Sequence, residues 1–250
     1  MLEYFEILTL WEGWVYLFIL SILEIVLGID NIIFISIVTD DLEPNKRRFA
    51  RNLGLSIALI LRLALLSVVS MIMTLTDPLF TLFSYDFSGQ GLILIFGGLF
   101  LIYKSVSEMH KSINHEDESS TKKSSSMGKI ITQIVLIDLI FSFDSIISAV
   151  GMTNGIGQET GKDPMVIIVI AIVISMLIMM AFAKPISQFI SENPTIKMIA
   201  LSFLVAIGIL LIAEAFGQEF PKGYIYFALA YALIVELLNI RMRRNKAKNG

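Results

Sequence analysis

Apolar residues run along this chain in long continuous blocks, separated by short polar stretches, rather than in the alternating or 3.6-residue patterns of half-buried elements. Seven blocks approach the ~20 residues that a membrane-spanning helix needs. They are expected at about Trp14–Val38, Asn52–Leu75, Gly91–Val106, Ile130–Met152, Pro164–Ala183, Met198–Phe216 and Gly223–Ile240. Trp11, Trp14 and Tyr16 suit an interfacial aromatic belt at the start of the first.

Basic residues sort the connections. Lys46, Arg47, Arg48 and Arg51 follow the first block, and Lys184 and Lys197, with Pro185 and Pro194, mark the connection after the fifth. Arg241, Arg243, Arg244, Lys246 and Lys248 close the chain. The N-terminus and the loops Thr76–Gln90, Thr153–Asp163 and that after Phe216 carry almost none, apart from Lys162 and Lys222. The positive-inside rule then predicts an outside N-terminus and an inside C-terminus. Ser107–Lys129, with Glu116-Asp117-Glu118, Lys122-Lys123 and a serine run, reads as a mobile cytoplasmic linker.

The blocks also repeat. Gly98-Leu99-Phe100-Leu101-Ile102 in the third is similar to Gly208-Ile209-Leu210-Leu211-Ile212 in the sixth. Spans one to three (14–106) therefore correspond to spans four to six (130–216), with an extra helix at 223–240 and a basic tail at 241–250. Because each half holds an odd number of spans, the halves are inverted, and inverted repeats place a substrate site near the membrane midplane. The expected architecture is a single all-α polytopic membrane domain over 1–250, with no separate soluble domain.

Composition agrees. Of 250 residues, 56% are hydrophobic and 16% charged, against about 25% charged in soluble domains; the mean hydropathy is +0.78. The chain has no cysteine, and His110 and His115 fall in a polar loop. This excludes thiolate metal sites and a buried His/Cys centre, so a metal held within the spans must be held by oxygen. The N-terminus lacks the basic region of a signal peptide, so the first block is expected to stay as a span.

The chemistry lies in two matched stretches. Glu24-Ile25-Val26-Leu27-Gly28-Ile29-Asp30-Asn31-Ile32-Ile33 and Asp138-Leu139-Ile140-Phe141-Ser142-Phe143-Asp144-Ser145-Ile146-Ile147 each place an acid six residues before Asp, a small polar residue and Ile-Ile. Each charge in hydrocarbon costs about 2.5–3.5 kcal/mol on insertion scales, so four matched acids require compensation. On a helix Glu24 shares a face with Asn31, and Asp138 with Ser145, while acids six apart diverge by about 120°. A break at Gly28, or less readily at Ser142, would let both acids of a motif line one site. Two antiparallel copies bring together Glu24, Asp30, Asn31, Asp138, Asp144 and Ser145, an oxygen-rich set suited to Mn²⁺, Mg²⁺ or Ca²⁺. Arg62 is the one base near mid-membrane and is expected to pair with a motif acid; a purely structural ion network is the bland alternative. Glu214, Glu236 and Asn239 are secondary candidates near span ends.

These residues, with Ala149-Val150-Gly151 and Pro221-Lys222-Gly223-Tyr224-Ile225-Tyr226-Phe227-Ala228, resemble the TerC family of integral membrane proteins, in its YgdQ/YoaE-like branch. The similarity covers nearly the whole chain. It implies a seven-span protein of the LysE-like transporter group, in a family associated with Mn²⁺ export, with metal supply to secreted enzymes and, by name, with tellurite resistance. The family's motif residues map onto Glu24, Asp30, Asn31, Asp138, Asp144 and Ser145; where another TerC branch has an additional acid, this chain has Val135. YoaE-type members continue into C-terminal soluble domains, which are not expected here.

The expected function is export of a divalent cation, first of all Mn²⁺, by alternating access, in the bacterial inner membrane. H⁺ or Na⁺ is the expected coupling ion, since no P-loop is present. The alternative is a membrane partner that delivers metal to exported proteins or assists assembly, with Ser107–Lys129 as its docking segment. A second copy of the chain and the secretion machinery are candidate partners, and nucleic acid is not. No enzymatic activity, catalytic residue or organic cofactor is expected.

Overall fold

The computed structural model describes residues 3–68, 78–82, 85–114, 126–218 and 220–249. A 3₁₀ helix, Glu3–Thr9, leads into α1 (Trp11–Leu27), α2 (Ile29–Asp40) and α3 (Pro44–Ser67). An antiparallel hairpin of β1 (Pro78–Leu82) and β2 (Tyr85–Ser88) precedes α4 (Gly89–Ile113). The chain continues through α5 (Met127–Thr160), α6 (Met165–Glu192), α7 (Pro194–Ala215) and α8 (Gly223–Asn249). With α1 and α2 counted as one, seven helices among the described residues are long and apolar enough to cross a membrane.

Several boundaries differ from the sequence expectation, each for a local reason. The fourth span does not end at Met152: α5 runs on to Thr160 through the Gly-rich stretch. A helical glycine costs only about 1 kcal/mol, and here Ile156 is fully buried while the Thr153 and Thr160 hydroxyls donate to the carbonyls of Ala149 and Ile156. The loop shrinks to a short turn in which Gly161 takes φ +66°. The connection expected at Lys184 and Pro185 is instead helix, since α6 passes through Pro185 to Glu192 and Asn193 alone separates it from α7. Apolar neighbours tolerate a proline in membrane helices, and Ala183, Ser187 and Ile190 are buried around it. Pro44 and Pro194 start α3 and α7, where a missing N–H is harmless. Lys46, Arg47, Arg48 and the tail residue Arg241 thus lie on helices rather than in loops. The loop expected at 76–90 contains the hairpin, and Ser88 caps α4 by accepting from Gly91 N (3.0 Å). The heart of the linker, residues 115–125, lies outside the described residues.

The chain divides into two compact units. The first is Met1–Asp77 with Ser124–Gln188. Its core joins Leu17 and Leu20 of α1 to Ile146, Ala149 and Ile156 of α5 and to Ile167, Ile168, Ala171 and Ile172 of α6. α3 packs on α5 where Gly54 leaves room: a Cβ there would lie 2.8 Å from Cγ2 of Ile134. Lys162 and Glu6 form an ion pair that holds the 3₁₀ helix to the turn after α5.

The second unit is Pro78–Lys123 with Phe189–Gly250. α4 and α7 pack antiparallel, since Gly91 faces Ala215 while Gly98 faces Gly208. The contact is reciprocal. A Cβ on Gly98 would lie 2.5 Å from the Gly208 carbonyl oxygen and 2.8 Å from Cγ1 of Ile212; one on Gly208 would meet Cγ1 of Ile102 at 2.7 Å and the Gly98 oxygen at 2.8 Å. Lipid-embedded helices gain no hydrophobic drive from meeting, so small residues that admit close van der Waals contact set their packing. α8 rests on α7 through Tyr226 against Phe203 and leaves Tyr224, Phe227, Tyr231 and Ile234 exposed.

Gly98→Leu or Gly208→Leu is therefore expected to lower stability by about 1–3 kcal/mol or more, because the backbone oxygen facing each glycine cannot yield. Gly151, which has nothing within 4 Å, is the control: Gly151→Ala should be neutral or stabilise by up to about 1 kcal/mol. Thermal melting of the purified variants in detergent measures both.

Candidate cation site

The matched acidic stretches meet inside the first unit. α1 delivers Glu24 one turn before its end, the first turn of α2 delivers Asp30 and Asn31, α3 delivers Arg62, and α5 delivers Asp138, Ser142 and Ser145. All seven are deeply buried, with Glu24 2%, Arg62 3% and Asp138 1% exposed.

Arg62 organises the centre. Its Nη1 donates to Glu24 Oε2 at 2.8 Å and its Nη2 to Asp138 Oδ1 at 3.0 Å, so one guanidinium bridges carboxylates from two different helices. Asn31 Nδ2 donates to the same Asp138 Oδ1 at 3.2 Å. Ser142 Oγ lies 3.1 Å from Asp138 Oδ2 and 2.5 Å from the Asp138 carbonyl oxygen, and shares its one proton between them. Asp138 thus has a donor on each carboxylate oxygen.

The helix phase explains who meets whom. Gly28 interrupts the first span for one residue only: its φ, ψ of −83°, −8° are right-handed helical. Its N–H donates to Glu24 O (2.9 Å) and its carbonyl accepts from Ile32 N (3.1 Å). The span is therefore not unwound, and Glu24 and Asp30 keep the divergence of about 120° that six residues impose. Glu24 and Asn31, seven apart, both reach the Arg62–Asp138 pair. Gly28 serves close packing, since a Cβ there would collide with the Met179 sulfur of α6. α5 is continuous through Ser142.

Of the expected ligands, Glu24, Asn31 and Asp138 are brought together around Arg62. Asp30 is buried on the neighbouring sector, and Ser145 Oγ donates to the Ser142 carbonyl (3.3 Å). Asp144 falls on α5, and its side chain lies outside the described residues. Among the described residues no three Asp, Glu or His side chains form a ready metal cluster. The secondary candidates belong to the second unit. Glu214 pairs with Lys222 at 3.5 Å, and buried Glu236 accepts from Asn239 Nδ2 at 3.3 Å.

Two features escaped the sequence reading. Ser142 is a donor to Asp138, a pairing that its i+4 spacing on a helix could have shown. Glu108 is 3% exposed and held by Lys104 (2.7 Å) and Lys111 (2.9 Å) on the same helix. Those spacings of four and three residues were visible in the sequence, but a linker was expected there.

Spanning helices with an arginine and two carboxylates buried among those of the first unit define a polytopic membrane protein. Comparison with known proteins gives the family. The model of the integral membrane protein TerC family matches residues 9–250, and the chain belongs to that family. It is 45% identical over 239 residues to the UPF0053 inner membrane protein YoaE of Escherichia coli (strain K12), covering 95% of this chain and 44% of that protein. It is 47% identical over 236 residues to the UPF0053 inner membrane protein YgdQ of the same strain, covering 94% and 95%. A UPF0053 protein of Haemophilus influenzae is 47% identical over 235 residues, covering 93% and 95%. The chain thus spans less than half of YoaE and nearly all of YgdQ. No solved structure matches. With seven spanning helices and inner-membrane relatives, it is a multi-pass protein of the bacterial inner membrane.

If Arg62 links the two carboxylates energetically, their substitutions will not add. Arg62→Gln combined with Glu24→Gln should destabilise less than the two singly, with a coupling of roughly 0.5–3 kcal/mol. A double-mutant cycle read by thermal or denaturant unfolding in detergent measures it, and additivity would mean that the contact carries no energy.

Proposed function

We propose that this protein is a secondary transporter that exports a divalent cation, Mn²⁺ foremost, with the carboxylates of Glu24, Asp30 and Asp138 as its cation-binding groups. The carrying observation is the burial of Glu24 and Asp138, from two helices, on a single guanidinium. Two carboxylates, Glu24 and Asp138, thus converge on one point from different helices, with Asp30 buried on the next turn of the first span.

The donor set favours a hard ion. It consists of carboxylates, the Asn31 carboxamide and serine hydroxyls, without thiols, and hard oxygens suit Mn²⁺, Mg²⁺ and Ca²⁺. Asn31 Oδ1 is buried with no hydrogen bond among the described residues and can add a neutral oxygen. Asp144 and Ser145 complete the proposed set from α5. The antiparallel, reciprocal packing of α4 and α7 at Gly98 and Gly208 supports an inverted repeat, the design that underlies alternating access. H⁺ or Na⁺ is the proposed coupling ion. The preference for Mn²⁺ and the outward direction rest on the family resemblance.

Purified protein in liposomes loaded with a Mn²⁺-sensitive dye tests this. Wild type should carry Mn²⁺, and Asp138→Asn should cut the rate at least about tenfold, equivalent to about 1.4 kcal/mol. In cells, Asp30→Asn should fail to restore Mn²⁺ tolerance to a null strain. Absence of flux for every divalent ion tried, with a second protein co-purifying, would replace transport by the metal-delivery reading.

A further inference from the structure

We infer that Arg62 is a tethered counter-cation that takes the transported ion's place on Glu24 and Asp138, and so lets the carrier change sides without cargo. This rests on the transport reading of the same site.

The contacts fit that role. A carrier that delivers its ion must return, and its emptied carboxylates would cross the low-dielectric interior uncompensated. Arg62 meets this need from within. Its two terminal nitrogens each hold one carboxylate, at 2.8 and 3.0 Å, and the carboxylates belong to α1 and α5. That is the bridge a bound cation would make between the same two helices. An arginine side chain brings a permanent cation, so this compensation needs no proton from either side.

Stability does not account for the arrangement. A buried ion triad is typically no more stable than apolar side chains of similar volume, and in a lipid-embedded bundle apolar replacements abound. Arg62 is also not fastened from all sides. Its Nε is buried without a hydrogen-bond partner among the described residues, so its hold comes from the two carboxylates themselves. An ion that binds those carboxylates removes what keeps the side chain in place. Ion and guanidinium thus exclude one another on Asp138 Oδ1 and Glu24 Oε2.

Transport that exchanges Mn²⁺ for Mn²⁺ never requires the metal-free carrier to return, whereas net flux always does, whether or not that carrier holds H⁺ or Na⁺ elsewhere. The two modes therefore separate a counter-cation from a merely structural arginine. Liposomes containing wild type, Arg62→Gln or Arg62→Lys would be loaded with radioactive Mn²⁺ and diluted into metal-free buffer or into buffer with unlabelled Mn²⁺. In wild type both modes are expected. In Arg62→Gln exchange should persist within a few-fold while net efflux falls at least about 100-fold, equivalent to about 2.7 kcal/mol on the return step. Arg62→Lys, which keeps the charge, should retain much of the net flux.

Equal loss of both modes in a monodisperse Arg62→Gln protein, or retention of both, would overturn the assignment. Absence of flux in wild type would instead overturn transport itself. A second measurement avoids dependence on the folding of Arg62→Gln. Mn²⁺ added to wild type should shift the infrared guanidinium band that Arg62→Lys identifies by difference, and an unshifted band would refute the exchange of partners.

Discussion

The contact on which this protein's interior depends is the bridge from Arg62 to Glu24 and Asp138. Bringing two carboxylates to that depth without a cation would cost several kcal/mol of desolvation for each charge. With the guanidinium between them, three helices share one electrostatic centre, and α1, α3 and α5 must keep the register that brings the charged groups within about 3 Å. Lysine could not substitute fully, because an ammonium is a point charge and the planar fork presents separate donors to separate acceptors.

The packing within each unit follows from the absence of a hydrophobic drive between lipid-embedded helices. Shape complementarity must supply the association. It does so wherever a glycine admits a neighbour: Met179 against Gly28, Ile134 against Gly54, and the mutual insertion at Gly98 and Gly208. The glycine inside the acidic motif thus has a packing task. It lets α6 close against the first span beside the carboxylates, while the helical hydrogen bonds continue across it.

The sequence revealed the spans because ~20 apolar residues have few other uses, and it pointed to the buried acids because acids in such runs are costly. Arg62 as the partner of a motif acid followed from charge balance, and the shared face of Glu24 and Asn31 followed from a spacing of seven. Three things were not legible. Helix ends beyond the hydrocarbon have no hydropathy signal, so the extension of α5 to Thr160 and the passage of α6 through Pro185 depended on tertiary burial of Ile156 and Ile190. The pairing at 78–88 had no alternating pattern to announce it. The close contact of Met179 with Gly28 joins residues about 150 apart in sequence and cannot be foreseen from local propensity.

The hydrogen bonds of Asp138 explain how the centre can change partners without collapse. A buried carboxylate that loses its only donor is stranded, and the loss resists any motion that causes it. Asp138 is protected from this, since Asn31 Nδ2 reaches one oxygen and Ser142 Oγ the other. When Arg62 withdraws, both oxygens keep a neutral donor, and each still has lone pairs for an incoming ion. Asn31 and Ser142 come from α2 and from α5 itself, so the contact between those helices outlasts the departure of the guanidinium from α3. The mobile part of the electrostatics is then the α3 side chain, and the fixed part is the α2–α5 pair that presents Asp138. A buried charge can shift in this way only where neutral hydrogen bonds hold its partner in position.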